Sequence, residues 1–501
     1  MSVVVAIDAG TTGVRALAVG LDGRVVAVSY RELTQYFPAP GLVEHDASEI
    51  WRLVETTLVE LLERLSAEGR AETVAAIGIT NQRETAVAWD RRTGRPLHRA
   101  IVWQDRRTAR RCEELEAGGH LPVVRETTGL VLDSYFSATK WAWMLRDGGV
   151  VAGADLALGT VDDWICWNLT GGRRGGVHAT DVSNASRTLC YDIREQGWSD
   201  ELCELIGVPV GALGAVLASS GRFGLVSDEV AAGGLAGVPL SGIAGDQQAA
   251  LFGHCCFEPG ATKVTFGTGS FVLMNLGRDC PPPTEGLLTT IAWQVGGEVT
   301  YALEGAVFAS GATIQWLRDG LGIITAAAET EALAASVDSN EGVYLVPAFA
   351  GLGSPWWDPH ARATIVGLTR GAGRAHLARA AVEAMAYQTR DVLDVMSSAS
   401  GRPVTLLRSD GGAAAMDLLL QLQAEQSRVV VVRPRTTEIT ALGAAMLAGL
   451  AEGVWGSLED LRTLSPAEAS FEPAGSTAKA DRDHAGWLRA LERSRALPLA
   501  H

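Results

Sequence analysis

Apolar and polar positions alternate in blocks along the first eighty residues. Val3 to Ile7 is a β-branched run that stops at the polar, glycine-containing Asp8-Ala-Gly-Thr-Thr-Gly13. Val14 to Val19 is a second apolar strand, Asp22-Gly23 is a hairpin signal, and the apolar run resumes over Arg24 to Ser29. Asp46 followed by Glu49 resembles a capping box, and Ile50, Leu53, Val54, Leu58, Leu61 and Leu65 fall on one helical face. Thr73 to Thr80 reads as a strand again, so strands and helices mix within one half and an α/β architecture is predicted. The pattern restarts near residue 250, with Thr262 to Phe266, the turn Gly267-Thr-Gly-Ser270 and Phe271 to Asn275. Two strand–Gly/Thr–strand hairpins half a chain apart predict two similar lobes, divided as 1–250 and 251–501. Helical spacing follows at Ala375 to Met396 and Asp417 to Gln426, with the turn Asp410-Gly-Gly412 between them, and a last helix is predicted around Trp487.

Composition narrows the function classes. At about 150 residues per domain, 501 residues imply two to four domains. Lys and Arg number 42 against 58 Asp and Glu, a formal net charge of −16. Such a surface argues against broad binding of nucleic acid or an anionic membrane, which requires a basic face. A small anion can still be held by converging backbone N–H groups. The longest uncharged stretches, such as Leu205 to Gly221, are broken by Gly and Pro, so no membrane span is expected. No secretory signal pattern is read at the N-terminus, and seven scattered Cys without framework spacing suggest reduced thiols and a cytoplasmic location. Glycine is in excess, at 57 residues or about 11% against a usual ~7%.

Three turns and a set of polar strand ends are the candidate chemistry. Asp8-x-Gly10-Thr11-Thr12, directly after a strand, suits an anion cradle with a carboxylate for Mg²⁺, and equally suits a capped hairpin turn. Gly267-Thr-Gly269 repeats it, and Asp410-Gly-Gly412 would let backbone approach a nucleoside or simply form a left-handed loop. Asn81-Gln-Arg83-Glu84, Trp103-Gln-Asp105 and Gly245-Asp246-Gln247-Gln248 lie at or beyond strand ends, where open α/β sheets bind ligands, and Tyr135 lies in a loop before a helix predicted over Ala138 to Arg146. An arginine and carboxylates for hydroxyls, with aromatic walls, would suit a small polyol. The competing readings are a surface ion pair for Arg83–Glu84, a core residue for Trp103 and a helix cap for Asp246.

From about Val3 to Trp455 the chain resembles the FGGY carbohydrate kinases, and within them the members acting on glycerol. The resemblance is carried by Asn81-Gln-Arg-Glu-Thr85, Ile101-Val-Trp-Gln-Asp-Arg-Arg-Thr108, Tyr135-Phe-Ser-Ala-Thr-Lys140 and Ser183-Asn-Ala-Ser-Arg187. It continues through Gly242-Ile-Ala-Gly-Asp-Gln-Gln248, Tyr301-Ala-Leu-Glu-Gly305, Gln315-Trp-Leu-Arg-Asp-Gly320, Gly351-Leu-Gly-Ser-Pro-Trp-Trp-Asp358, Gly367-Leu-Thr-Arg-Gly371 and Thr440-Ala-Leu-Gly-Ala-Ala445. It implies two actin/hexokinase-like (ribonuclease H-like) lobes with ATP and glycerol in the cleft between them, and transfer of phosphate to give sn-glycerol 3-phosphate. The implied polyol contacts are Arg83, Glu84, Trp103, Tyr135, Asp246, Gln247 and Phe271. Asp246 is the implied general base, and Asp8 and Asp246 are the implied Mg²⁺ residues. The implied nucleotide contacts are Thr11, Thr12, Gly13, Arg15, Thr268, Gly311, Gln315, Gly412, Ala413 and Met416. A homodimer or homotetramer is implied as well.

The chain departs from the family pattern at several of these places. Ala9 and Gly13 stand where Gln and Ser are usual, which removes a hydroxyl donor from the first phosphate loop. Phe266 and Ser270 replace Tyr and Cys, and Met416 replaces an Asn directed at the nucleoside, at a cost of about 1 kcal/mol for a lost hydrogen bond. Gly233-Gly-Leu-Ala-Gly237 lacks the Arg of the loop that binds fructose 1,6-bisphosphate, so feedback by that ligand is not expected. The nearer alternative is a kinase of the same family for erythritol, xylulose or glyceraldehyde; the farther one is a catalytically weak ATP-binding regulator, which would be expected to have lost Asp8 or Asp246.

Overall fold

The computed structural model describes residues 2–67 and 73–495. Thirteen strands form its main sheet: β1 (Ser2–Ala9), β2 (Gly13–Gly20), β3 (Val25–Glu32), β4 (Thr73–Asn81), β5 (Ser220–Leu225), β6 (Pro239–Gly245), β7 (Ala261–Phe266), β8 (Ser270–Gly277), β9 (Leu288–Val295), β10 (Glu298–Val307), β11 (Leu406–Asp410), β12 (Val431–Pro434) and β13 (Ala467–Phe471). The helices that matter for the site are α1 (Ala47–Ala67), α2 (Ser137–Arg146), α3 (Asp246–Gly253), α4 (Gly311–Asp319), α5 (Arg374–Ser400), α6 (Asp417–Ser427) and α7 (Ile439–Ala451).

The two halves repeat one topology. In the first, β2 pairs antiparallel with both β1 and β3, while β4 and then β6 add parallel to β1. In the second, β8 pairs antiparallel with β7 and β10, while β11 and β12 add parallel to β7. The halves meet through β5 and β9 at the single pairing of Ser220 with Val295. This is the predicted two-lobed α/β fold.

Each lobe has an outer core, and a third core lies between the lobes. Alternation along the strands decides which side chains go where. Val3, Val5, Ile7, Val14, Ala16 and Ala18 face α1, whose buried Ile50, Val54, Leu58, Leu61 and Leu65 recur at helical spacing. Asp46 starts that helix by accepting the Ser48 N–H at 2.8 Å. Val264, Val272 and Met274 face α5 and α6 in the second lobe. The opposite faces, with Val4, Ala6, Leu17 and Val19 from the first-lobe half of the sheet and Leu273 and Ala302 from the second-lobe half, enclose α3 and α7.

Those two helices cross very closely. A Cβ on Gly443 of α7 would collide with the carbonyl oxygen of Ala249 on α3, and a Cβ on Gly253 of α3 would collide with that of Ile439 on α7. Part of the glycine excess is thus spent on bringing two helices and the two halves of the sheet together, a use that composition cannot locate. All seven cysteines are free thiols, and Cys280 alone among them is incompletely buried. Among the described residues no helix is long and apolar enough to cross a membrane.

Candidate active site

The polar strand ends converge. β4 and β6 are parallel neighbours with Asn81 opposite Gly245, so Gln82–Glu84 and Asp246 emerge side by side. Arg83 and Glu84 are 2% and 1% exposed, which excludes the surface ion pair. Glu84 has φ +61°, a left-handed conformation costly for a non-glycine residue and characteristic of functional sites. Asp246 is the first residue of α3, with Gly245 in the cap position, so it does not cap the helix. Its Oδ1 accepts the Gln247 N–H at 2.7 Å and lies 3.3 Å from Arg83 Nε.

The Arg83 guanidinium is held from several sides. It donates to both oxygens of Glu304 at 2.6 and 3.0 Å, to Gln248 Oε1 at 3.2 Å and to Tyr135 Oη at 3.2 Å. Arg187 donates to Glu304 at 3.0 Å and to Glu84 at 2.8 Å, closing a buried ring of two arginines and two glutamates. Burial opposes ionisation of Glu304, but Arg187 and Arg83 pull its carboxyl down to about 2. Glu304 comes from β10 of the second lobe, so the ring ties the lobes together beneath the site. Tyr135 stands at 5.6 Å from Trp103, ring edge to face, and the two make an aromatic corner above the ring. Buried Lys140 on α2 donates to the carbonyls of Tyr135 and Phe136, at 2.5 and 3.0 Å, with a longer contact of 3.4 Å to that of Glu84.

The phosphate-loop candidates fall on both sides. In the first lobe Gly10 N–H donates to the Gly13 carbonyl at 3.0 Å, closing the turn between β1 and β2. Gln82 Nε2 donates to the Gly10 carbonyl at 3.0 Å, and Trp103 Nε1 donates to Thr11 Oγ1 at 3.0 Å. The turn is thereby fastened to the segments that carry Arg83 and Trp103. Burial pushes the Asp8 carboxyl up to about 7, with Arg15 opposing and Asp246 and Glu438 reinforcing. Burial likewise raises Asp246, against Arg83 and Lys263. Arg15 is paired with Glu438 at 2.5 Å.

In the second lobe Gly311, at the start of α4, donates its N–H to the Gly267 carbonyl at 2.9 Å, which sets Thr268 beside Gly311 with Gln315 exposed one turn on. Gly411 has φ +88°, and a Cβ there would lie 2.5 Å from the Phe266 carbonyl, so the loop carrying Gly412 and Ala413 rests on the β7–β8 turn. Two of the candidate side chains already have partners within the protein. Met416 is the residue before α6, and its half-buried side chain, like that of Ala413, packs on one side against the second-lobe core. Gln247 has its side-chain oxygen taken by Lys263, which leaves only its amide N–H₂ to offer. Phe271 faces inward on β8, opposite Thr265.

Sequence reading passed over Gln82, Lys140, Arg187, Lys263 and Glu304. The signal was present: Lys263 and Glu304 are charges inside apolar strands, positions almost never filled that way without a partner.

Comparison with known proteins agrees with this arrangement. The N-terminal domain of the FGGY family of carbohydrate kinases matches residues 3–253, and its C-terminal domain matches residues 262–452. A glycerol kinase of Dechloromonas aromatica is 51% identical over 98% of this chain and 97% of its own length. One of Trichlorobacter lovleyi is 52% identical over 99% of both. The crystal structure of Plasmodium falciparum glycerol kinase with ADP superposes with a TM-score of 0.94 at 32% identity, covering 99% of each chain. With two matched domains and half of its residues shared with full-length relatives, the chain belongs to the FGGY family of carbohydrate kinases.

Proposed function

We propose that this protein transfers the γ-phosphoryl group of ATP to a terminal hydroxyl of glycerol, releasing ADP and sn-glycerol 3-phosphate. The observation that carries it is the buried ring of Arg83, Glu84, Arg187 and Glu304, with Trp103 and Tyr135 above it and Asp246 at its edge. A small, hydroxyl-rich molecule matches donors and acceptors held rigidly in that way, and the relatives at half identity are glycerol kinases.

In this reading Arg83 and Glu84 fix two hydroxyls of the polyol, Trp103 and Tyr135 cover its carbon chain, and Gln247 and Phe271 close the second-lobe side. Asp246 accepts the proton of the remaining hydroxyl as its oxygen attacks the γ-phosphorus and the bond to the β–γ bridging oxygen breaks. Its raised pKa makes it a better proton acceptor than an ordinary aspartate. Positioning and charge stabilisation carry the rest, since phosphoryl transfer needs little covalent help from protein. Backbone and hydroxyl groups of Thr11, Thr12, Thr268 and Gly311 take the phosphates, with Gln315, Gly412 and Ala413 toward the nucleoside.

Asp8 and Asp246 suit Mg²⁺: both are hard oxygen donors, and the Asp246 charge adds to burial in discouraging ionisation of Asp8, a repulsion a cation removes. Bound there with ATP, the ion would supply charge neutralisation of the phosphates. A cytoplasmic homodimer or homotetramer is part of the same reading and follows from the family resemblance alone.

ADP release with MgATP, measured across glycerol, dihydroxyacetone, erythritol, D-xylulose and D-gluconate, tests the substrate. Glycerol should give the highest kcat/KM; a higher value on any other acceptor would overturn the assignment.

A further inference from the structure

Tyr30 lies on β3 directly across from Arg15, and Arg15 lies directly across from Asp8 on β1. Directly opposed residues of antiparallel strands project to the same face. That face is the inward one, because Ala6 and Leu17, two positions along, enter the core between the lobes while Ile7 and Ala16 enter the outer core. Asp8, Arg15 and Tyr30 therefore form a row at the cleft end of the first-lobe sheet.

Tyr30 is held there but not used up. The Arg15 guanidinium sits 5.3 Å from the centre of its ring, and the side chain is still 39% exposed. Its hydroxyl reaches the Thr12 carbonyl only at 3.4 Å, long for an O–H···O bond. That carbonyl already accepts the Leu33 N–H at 2.9 Å. The phenolic proton is thus available to a better acceptor on the phosphate turn.

Gly13 makes room for it. A Cβ on Gly13 would lie 2.5 Å from both Oη and Cε2 of Tyr30 and 2.6 Å from the Arg31 carbonyl oxygen. The tyrosine hydroxyl therefore occupies the space in which a short hydroxyl-bearing side chain at position 13 would stand. Gly13 and Tyr30 are one steric unit, and a hydroxyl remains on the turn although residue 13 carries none.

We infer that Tyr30 is a nucleotide-binding residue, whose hydroxyl donates to a phosphate oxygen of the bound nucleoside triphosphate in place of the hydroxyl that Gly13 lacks. The inference rests on the reading of the β1–β2 turn as a phosphate loop. A donor aimed at an anionic oxygen makes a charge-assisted hydrogen bond, stronger than a neutral one.

Tyr30→Phe tests it, because the ring, its contact with Arg15 and its packing against Gly13 all persist. The expected result is a rise of about three- to tenfold in the KM for ATP and in the Kd for the non-hydrolysable analogue AMP-PNP, measured by calorimetry. The KM for glycerol and the melting temperature should stay unchanged. ATP and AMP-PNP constants within twofold of wild type would overturn the inference, and so would an equal rise in the KM for glycerol. Wild-type protein that binds AMP-PNP without phosphorylating glycerol would instead sink the substrate reading, and the binding measurement would still decide the role of Tyr30.

Discussion

The two lobes use one strand order for opposite electrostatic purposes. At the end of the first lobe's leading hairpin, Asp8 stands opposite Arg15; at the same place in the second lobe Thr265 stands opposite Phe271. The next parallel strand ends at Asn81 and runs into Gln82-Arg83-Glu84 in the first lobe, and in the second it ends at Asp410, paired with His254, and runs into Gly411-Gly412. The helix after the last parallel strand begins with Asp246 in one lobe, and in the other with Ile439 behind Glu438, whose carboxylate pairs with Arg15 across the cleft. The first lobe thus collects charged side chains that can grip hydroxyls and move a proton. The second adds Glu304 and Lys263 from within its strands, while its turns at Gly267–Gly269 and Gly411–Ala413 present mainly backbone and small residues. A duplicated scaffold gains two functions because strand ends are free to vary while the paired strands behind them are not.

Removing the base of the charged lobe should have the largest effect. Asp246→Asn is expected to lower kcat by roughly 10²–10⁴-fold, with glycerol affinity retained in equilibrium binding. A variant with near-normal turnover would place the base elsewhere.

The ring that joins the lobes should come next. Glu304→Gln leaves Arg83 and Arg187 buried with half their neutralising charge, at a cost on the order of 3–5 kcal/mol in urea unfolding. The same group sets a pH dependence. Its carboxyl titrates near 2 in the folded protein against a usual 4.5, so its stabilisation is fully present above pH 4.5 and is lost as pH falls toward 2. Acid unfolding of the glutamine variant should lack that component; an identical acid profile would show that the ring contributes nothing.

The smallest effect belongs to the glycine turn of the second lobe. Gly411→Ala forces a side chain into a left-handed conformation and against the Phe266 carbonyl. The KM for ATP should rise about tenfold with the KM for glycerol unaltered. A rise in the glycerol constant alone would reverse the proposed division of labour between the lobes.

Much of the scaffold is legible residue by residue. The hairpins at Asp8–Gly13 and Gly267–Ser270 show in the β-branched runs that flank them, and α1 shows in the spacing of Ile50, Val54, Leu58, Leu61 and Leu65. These are local signals, because strand alternation and helical periodicity are properties of neighbouring residues. Arg83, Glu84, Trp103, Tyr135 and Asp246 could be named from position at strand ends and from resemblance, but their mutual geometry could not. The partners that hold them, Arg187 and Glu304, lie 103 and 221 residues away along the chain.

Local pattern along the chain suffices for the elements, their duplication and the residues available for chemistry. The packed fold adds that Glu304 of one lobe neutralises Arg83 of the other, and that Gly443 permits a helix crossing. It also decided that Tyr30 stands where residue 13 has no side chain. Periodicity along a chain reports which face a residue occupies, whereas charge pairing and close packing depend on what another segment brings to that face.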